Sequence, residues 1–166
     1  MANCSGVFGT MVLEGEWSCP MIEYLNIIKG EWGIWHYCIS VGDFETANQE
    51  VRFTANGCWS FDTNLERIGV WTVGTGKEEV KSAYSSLCAE MMVSTDEIGV
   101  SDTRIAVRFT EEEGGCRILR EAYAEIVCTA DRGLLGITVS IENYAYTKEN
   151  IVKLGICDSL EGVDWV

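Results

Sequence analysis

The sequence predicts a single acidic α+β domain spanning residues 1–166, a mostly antiparallel sheet with two or three helices. Three observations lead there. Short runs of strand-forming residues, several with period two, recur along the chain; helix-periodic segments with their own start and stop signals interrupt them. The 17 glycines and one proline are scattered, with no linker-like cluster and no repeat of fixed period. A chain of 166 residues that is 47% hydrophobic buries about two-thirds of its unfolded surface, enough for one core.

Residues 6–13, Gly-Val-Phe-Gly-Thr-Met-Val-Leu, read as a first strand ending in the polar Glu14-Gly15-Glu16. Ser18-Cys19-Pro20 starts a helix with proline in its first turn. Met21, Leu25 and Ile28 line one face, and Lys29 and Gly30 close it. Residues 34–41 and 50–55 read as an antiparallel pair of strands connected through Gly42-Asp43 and Asn48. Phe61, Leu65 and Ile68 suggest a short helix starting between Ser60 and Thr63. Thr75-Gly76-Lys77-Glu78 fits a capping box for a longer helix carrying Val80, Tyr84, Leu87 and Met91. Ile105, Val107 and Phe109 alternate as a half-buried strand running into Thr110-Glu-Glu-Glu-Gly-Gly115, an expected acidic turn. Residues 116–128 fit a helical face (Ile118, Ala122, Ile126) and an alternating strand equally; the preceding strand and two glycines favour a hairpin. Residues 134–141 give a further strand.

The formal net charge of −14 disfavours direct binding to nucleic acid or to an anionic membrane, since both need basic surface. No run of 18 apolar residues is available to span a bilayer. Eight cysteines lie 12 to 30 residues apart with no C-x-x-C pair, and a single histidine, His36, cannot complete a Cys₂His₂ set, so no metal is expected on the thiols. Met-Ala-Asn-Cys-Ser-Gly at the start lacks a basic region followed by an apolar one, and the expected compartment is a reducing cytoplasm. Cys38, Cys88, Cys128 and Cys157 stand in apolar surroundings, as small core residues do.

The stretch Arg52-Phe-Thr-Ala-Asn-Gly57-Cys-Trp59-Ser-Phe61-Asp-Thr-Asn-Leu65-Glu66, followed by a helix and by Ile105-Ala-Val-Arg-Phe109-Thr-Glu111-Glu-Glu-Gly114, resembles a family of phage and plasmid accessory proteins. The resemblance covers about half the chain and rests on a glycine-aromatic turn and an acidic-glycine turn. It implies a ferredoxin-like β-α-β-β-α-β core with additional strands, a strand at 116–128, and a mobile-element origin in a bacterial host. It transfers no catalytic residue.

Motifs for chemistry are incomplete. Gly74-Thr-Gly76-Lys77 lacks the first glycine of a P-loop, where Trp71 stands, and the Ser/Thr after lysine, where Glu78 stands. His36 and Cys38 share a strand face, but no oxyanion-hole motif accompanies them, and there is no G-x-S-x-G. Twenty-six carboxylates make any one pair uninformative as a metal or glycosidase site. No catalytic residue, cofactor or metal is therefore assigned.

The charge itself is the stronger signal, because −14 exceeds the charge of about 2 to 8 that suffices for solubility. Carboxylates on a rigid frame can approximate a line of phosphates and steer the body into a basic groove. Glu111, Glu112, Glu113, Glu121 and Glu125 form the candidate partner-binding row, if 105–128 is a hairpin. The expected function is non-enzymatic: a phage or mobile-element protein that binds and inhibits a basic nucleic-acid-handling defence protein, of the anti-CRISPR or antirestriction type. The alternatives are a small carboxylate-dependent metalloenzyme, or a small-ligand-binding domain using tryptophans such as Trp32, Trp35, Trp59 and Trp71.

Overall fold

A computed structural model describes residues 4–32, 37–58, 60–65, 77–93, 100–129 and 134–156. Strand β1 (Cys4–Glu14) leads into helix α1 (Cys19–Lys29), then β2 (Tyr37–Val41), β3 (Glu50–Cys58) and the short α2 (Phe61–Leu65). Helix α3 (Glu78–Met91) follows, then β4 (Val100–Glu113), β5 (Ile118–Thr129), β6 (Leu134–Asn143) and the short α4 (Lys148–Lys153). The six strands form one sheet in the order β2-β3-β1-β4-β5-β6, every neighbouring pair antiparallel. The first four strands with α1 and α3 have the β-α-β-β-α-β connectivity and 2-3-1-4 order of a ferredoxin-like core, and β5 and β6 extend it beyond β4. The described residues hold four helices, two of them a turn or so long, where two or three were expected.

Alternation decides which side chains meet the helices. Val7, Met11 and Leu13 of β1, Val51, Phe53 and Ala55 of β3, and Ile105, Val107 and Phe109 of β4 all face one side. Ala122, Ala124, Ile126 and Cys128 of β5 join them. Against this face lie Met21, Ile22, Leu25 and Ile28 of α1 and Ala83, Tyr84, Leu87, Cys88 and Met91 of α3, in one core cluster. Each fully buried Leu, Ile or Met contributes on the order of 2 kcal/mol of hydrophobic stabilisation. Ser18 caps α1, its hydroxyl accepting from the Met21 amide at 3.4 Å, and Pro20 occupies the first turn as expected.

Gly9 lies at the centre of β1, where a Cβ would stand 2.0 Å from the Arg108 carbonyl oxygen and 2.8 Å from the Phe53 ring. No larger residue fits. The room left by the missing side chain is taken up by a ring cluster. Phe61 stacks on Phe53 at 5.4 Å and meets Phe109 edge-on at 4.8 Å. A glycine in a strand interior marks close backbone approach and lets a sheet curve, and the opposite face at this point is hollowed.

Several expectations are corrected. The three glutamates do not form a turn: β4 runs through Glu113, and the reversal is Gly114–Arg117, with Arg117 in the left-handed region at φ +55°. Residues 118–129 are a strand paired with β4, which resolves the ambiguity of that segment. Helix α3 starts at Glu78 with Lys77 at its N-cap and no side-chain cap bond, so Glu78 does not serve as the third helical residue of a box; Thr75 lies outside the described residues. Helix α2 ends at Leu65, and Ile68 is likewise outside them. Cys88 and Cys128 are buried, as small apolar residues are; Cys38 is exposed instead, and Cys157 falls outside.

Candidate functional site

The predicted glutamate row is divided between the two faces of the sheet. Continuing the alternation of Ile105, Val107 and Phe109 carries Glu111 and Glu113 inward, where they are 1% and 5% exposed. Glu111 is bound from two directions: its Oε1 accepts from the Phe61 amide at 3.0 Å, and its Oε2 accepts from Arg120 Nε at 2.7 Å. Arg120 also reaches Asp62 at 2.8 Å. This buried network fixes α2 to the sheet, because it satisfies the first amide of α2 and joins Asp62 of that helix to β5. Glu111 and Glu113 are therefore excluded from an exposed row.

Glu112, Glu121 and Glu125 lie on the other, outer face. Glu112 accepts from the Tyr146 hydroxyl at 2.5 Å, and burial together with that carboxylate pushes the phenol up to about 12. Glu125 accepts from Tyr123 at 2.9 Å and pairs with Arg104 at 3.3 Å, so its charge is compensated. Glu121 stands directly opposite Glu142 on β6, a like-charge pair, and the Tyr144 hydroxyl donates to it at 2.8 Å. The hydrogen bond to Glu121, with Glu142 adding to it, pushes Tyr144 up to about 12. Residues 144–156 fold back over this corner, where Leu119, Ile151 and Leu154 form a second small apolar cluster.

A different group of carboxylates collects at the end of the sheet where β1 finishes and β3 and β4 begin. The Asn48 amide donates to the Leu13 carbonyl at 2.9 Å, fastening the β2–β3 connection there, and Thr103 Oγ1 donates to the Glu16 carbonyl at 3.3 Å. Glu16, Glu45, Glu50 and Asp102 are thereby brought to this end, exposed and without an ion pair among the described residues. Two of the nearby cations are already engaged, and Arg52, two residues along β3 from Glu50, makes no ion pair among the described residues. Lys29 pairs with Asp43 at 2.7 Å and holds that carboxyl below its ordinary range by its hydrogen bond, while Arg104 pairs with Glu14 at 3.0 Å. Sequence reading missed this group because its members come from two separate connections and from the starts of two strands.

The outer face also carries an open cleft of about 810 Å³ across β3, β1, β4, β5 and β6. Strand register places two rows of side chains on its floor. One runs Thr54, Phe8, Thr110, Glu121, Glu142; the next runs Arg52, Thr10, Arg108, Tyr123, Ser140. Phe8 is 36% exposed, unusual for a phenylalanine at the centre of a sheet. Among the described residues no tryptophan lines this floor: Trp32 is core, 1% exposed, and Trp35, Trp59 and Trp71 lie outside the described residues, as does His36. Among the described residues no group of three or more His, Cys, Asp or Glu side chains could hold a metal ion, and no helix is long and apolar enough to cross a membrane. No protein-family model, curated protein or solved structure matches the chain.

Proposed function

We propose that this is a non-enzymatic binding protein that captures and inhibits a basic nucleic-acid-handling protein of a bacterial host, in the manner of an anti-CRISPR or antirestriction inhibitor acting in the cytoplasm. The observation that carries the reading is the carboxylate end formed by Glu16, Glu45, Glu50 and Asp102, without an ion pair among the described residues, in a chain of net charge −14. Glu50 and Asp102 stand on β3 and β4, on either side of β1, and the hydrogen bonds of Asn48 and Thr103 fasten the connections that carry Glu45 and Glu16 to the same end of this frame. A stiff array of this kind loses little side-chain and backbone entropy on docking and steers a basic groove toward it. The resemblance to phage and plasmid accessory proteins supports a mobile-element origin. The partner-binding surface is moved from the 111–125 hairpin to the opposite end of β4, because Glu111 and Glu113 are internal and Glu125 is paired.

The test is competition. Purified protein added to a panel of DNA-binding defence nucleases should release DNA from at least one of them, with the effect weakening as salt rises. The combined variant Glu16→Gln, Glu45→Gln, Glu50→Gln, Asp102→Asn should lose inhibition, whereas Glu121→Gln should retain it. Absence of inhibition across the panel, or full inhibition by the fourfold variant, counts against the proposal.

A further inference from the structure

We propose that the outer-face cleft binds a mononucleotide, with its phosphate between Arg52 and Arg108, its base on Phe8 and the hydrogen-bond donors of the base toward Glu121 and Glu142. This inference stands apart from the capture of a protein partner and uses none of the residues at the acidic end.

The position of the two arginines comes first. Thr10 of β1 is opposite Arg52 on one side and Arg108 on the other, so the two cations are two strand spacings apart, about 10 Å, with a hydroxyl between them. Two long side chains rising from one face at that separation can close on a single tetrahedral anion, each with a planar fork of donors. Both are exposed, and neither has an ion pair among the described residues. In a chain with more than twice as many acids as bases this needs a physical reason, and for Arg108 the contacts around the cleft supply one. The outer-face carboxylates diagonal to Arg108 are Glu121 and Glu125: Glu125 is held by Arg104 and Tyr123, and Glu121 accepts from Tyr144 through one oxygen and makes no ion pair with Arg108. Arg108 is thus left for an anion from outside.

Ring and edge follow from the same register. Phe8 lies one step along β1 from Thr10 on this face, diagonal to both arginines, with Thr54 and Thr110 beside it. An exposed ring flanked by two guanidinium groups is a platform on which a planar base can stack. Across the cleft, Glu121 and Glu142 can only accept hydrogen bonds, which suits exocyclic amino and ring N–H groups. The same two carboxylates repel a second phosphate, and the net charge opposes a long polyanion, so a single nucleotide is favoured over a strand. The volume lies within the roughly 300–1,000 Å³ usual for small-ligand sites.

Calorimetric titration of the full-length protein with adenosine, guanosine, cytidine and uridine 5′-monophosphates tests this, with the nucleosides and inorganic phosphate as separate arms. At least one monophosphate should bind saturably, and its nucleoside and phosphate alone should each bind about tenfold more weakly or worse. Arg52→Gln, Arg108→Gln and Phe8→Ser should each weaken it by about tenfold. Melting curves of the variants check that they fold, and if one does not, the others decide. The proposal is overturned if no monophosphate binds saturably, if phosphate alone binds as tightly as the nucleotide, or if the folded arginine variants bind like the parent.

Discussion

Arg120→Met is the most direct test of why Glu111 is a structural residue and not part of a binding surface. The substitution keeps an unbranched side chain of similar reach but leaves Glu111, 1% exposed, without its cation, and frees Asp62 of α2. Removing one partner of a buried, hydrogen-bonded ion pair costs about 3–5 kcal/mol, because the remaining charge is stranded away from water. Asp62 adds little, since its side chain is 22% exposed and can be rehydrated. For a domain of this size each kcal/mol lowers the melting temperature by about 2–4 °C, so the variant should melt roughly 6–20 °C below the parent. Thermal unfolding followed by circular dichroism, with urea unfolding as a second measure, reads this out. The double variant Arg120→Met with Glu111→Gln removes the stranded charge and keeps an oxygen for the Phe61 amide, and should recover most of the loss. Glu121→Gln, on the exposed face, should stay within about 0.5 kcal/mol of the parent. A drop of less than about 2 °C for Arg120→Met, or a double variant no more stable than the single, would refute the reasoning.

Tyr144 and Tyr146, both pushed up to about 12 from an ordinary value near 10, are protonated in the fold at pH values where the unfolded chain has begun to ionise them. Their contribution to stability is therefore complete below pH 10 and is lost as pH rises through about 12. An alkaline titration of tyrosinate absorbance should show late phases that Tyr144→Phe and Tyr146→Phe each remove. Gly9→Ala, whose Cβ would meet the Arg108 carbonyl oxygen at 2.0 Å, should destabilise the domain by about 3 kcal/mol or more in urea unfolding, the upper end of overpacking costs, because backbone cannot move aside. Cys4 and Cys58, both free thiols, are directly opposite on β1 and β3, a separation close to that of a disulfide. Oxidation with diamide should join them, detected by mass spectrometry of the digested chain, and Cys58→Ser should abolish that cross-link.

Period-two alternation, helix spacing and the Ser18–Pro20 start signal were enough to locate most described elements, because local hydrophobic pattern is set by the repeat of the backbone itself. The same parity that turns Ile105, Val107 and Phe109 inward also turns Glu111 and Glu113 inward, and with Arg120 on the inner parity of β5 a buried pair was legible in principle. Reading Thr110–Gly115 as a turn concealed it, since charge suggested solvent where strand geometry required interior. The two surfaces on which function is proposed belong to a different order of information. Glu16, Glu45, Glu50 and Asp102 share one end of the sheet only because β1 lies between β3 and β4, and Arg52 and Arg108 flank Thr10 for the same reason. Sequence pattern determines which face a side chain takes on its own strand. Strand order and register, fixed by how the whole core packs, determine which distant side chains stand beside it.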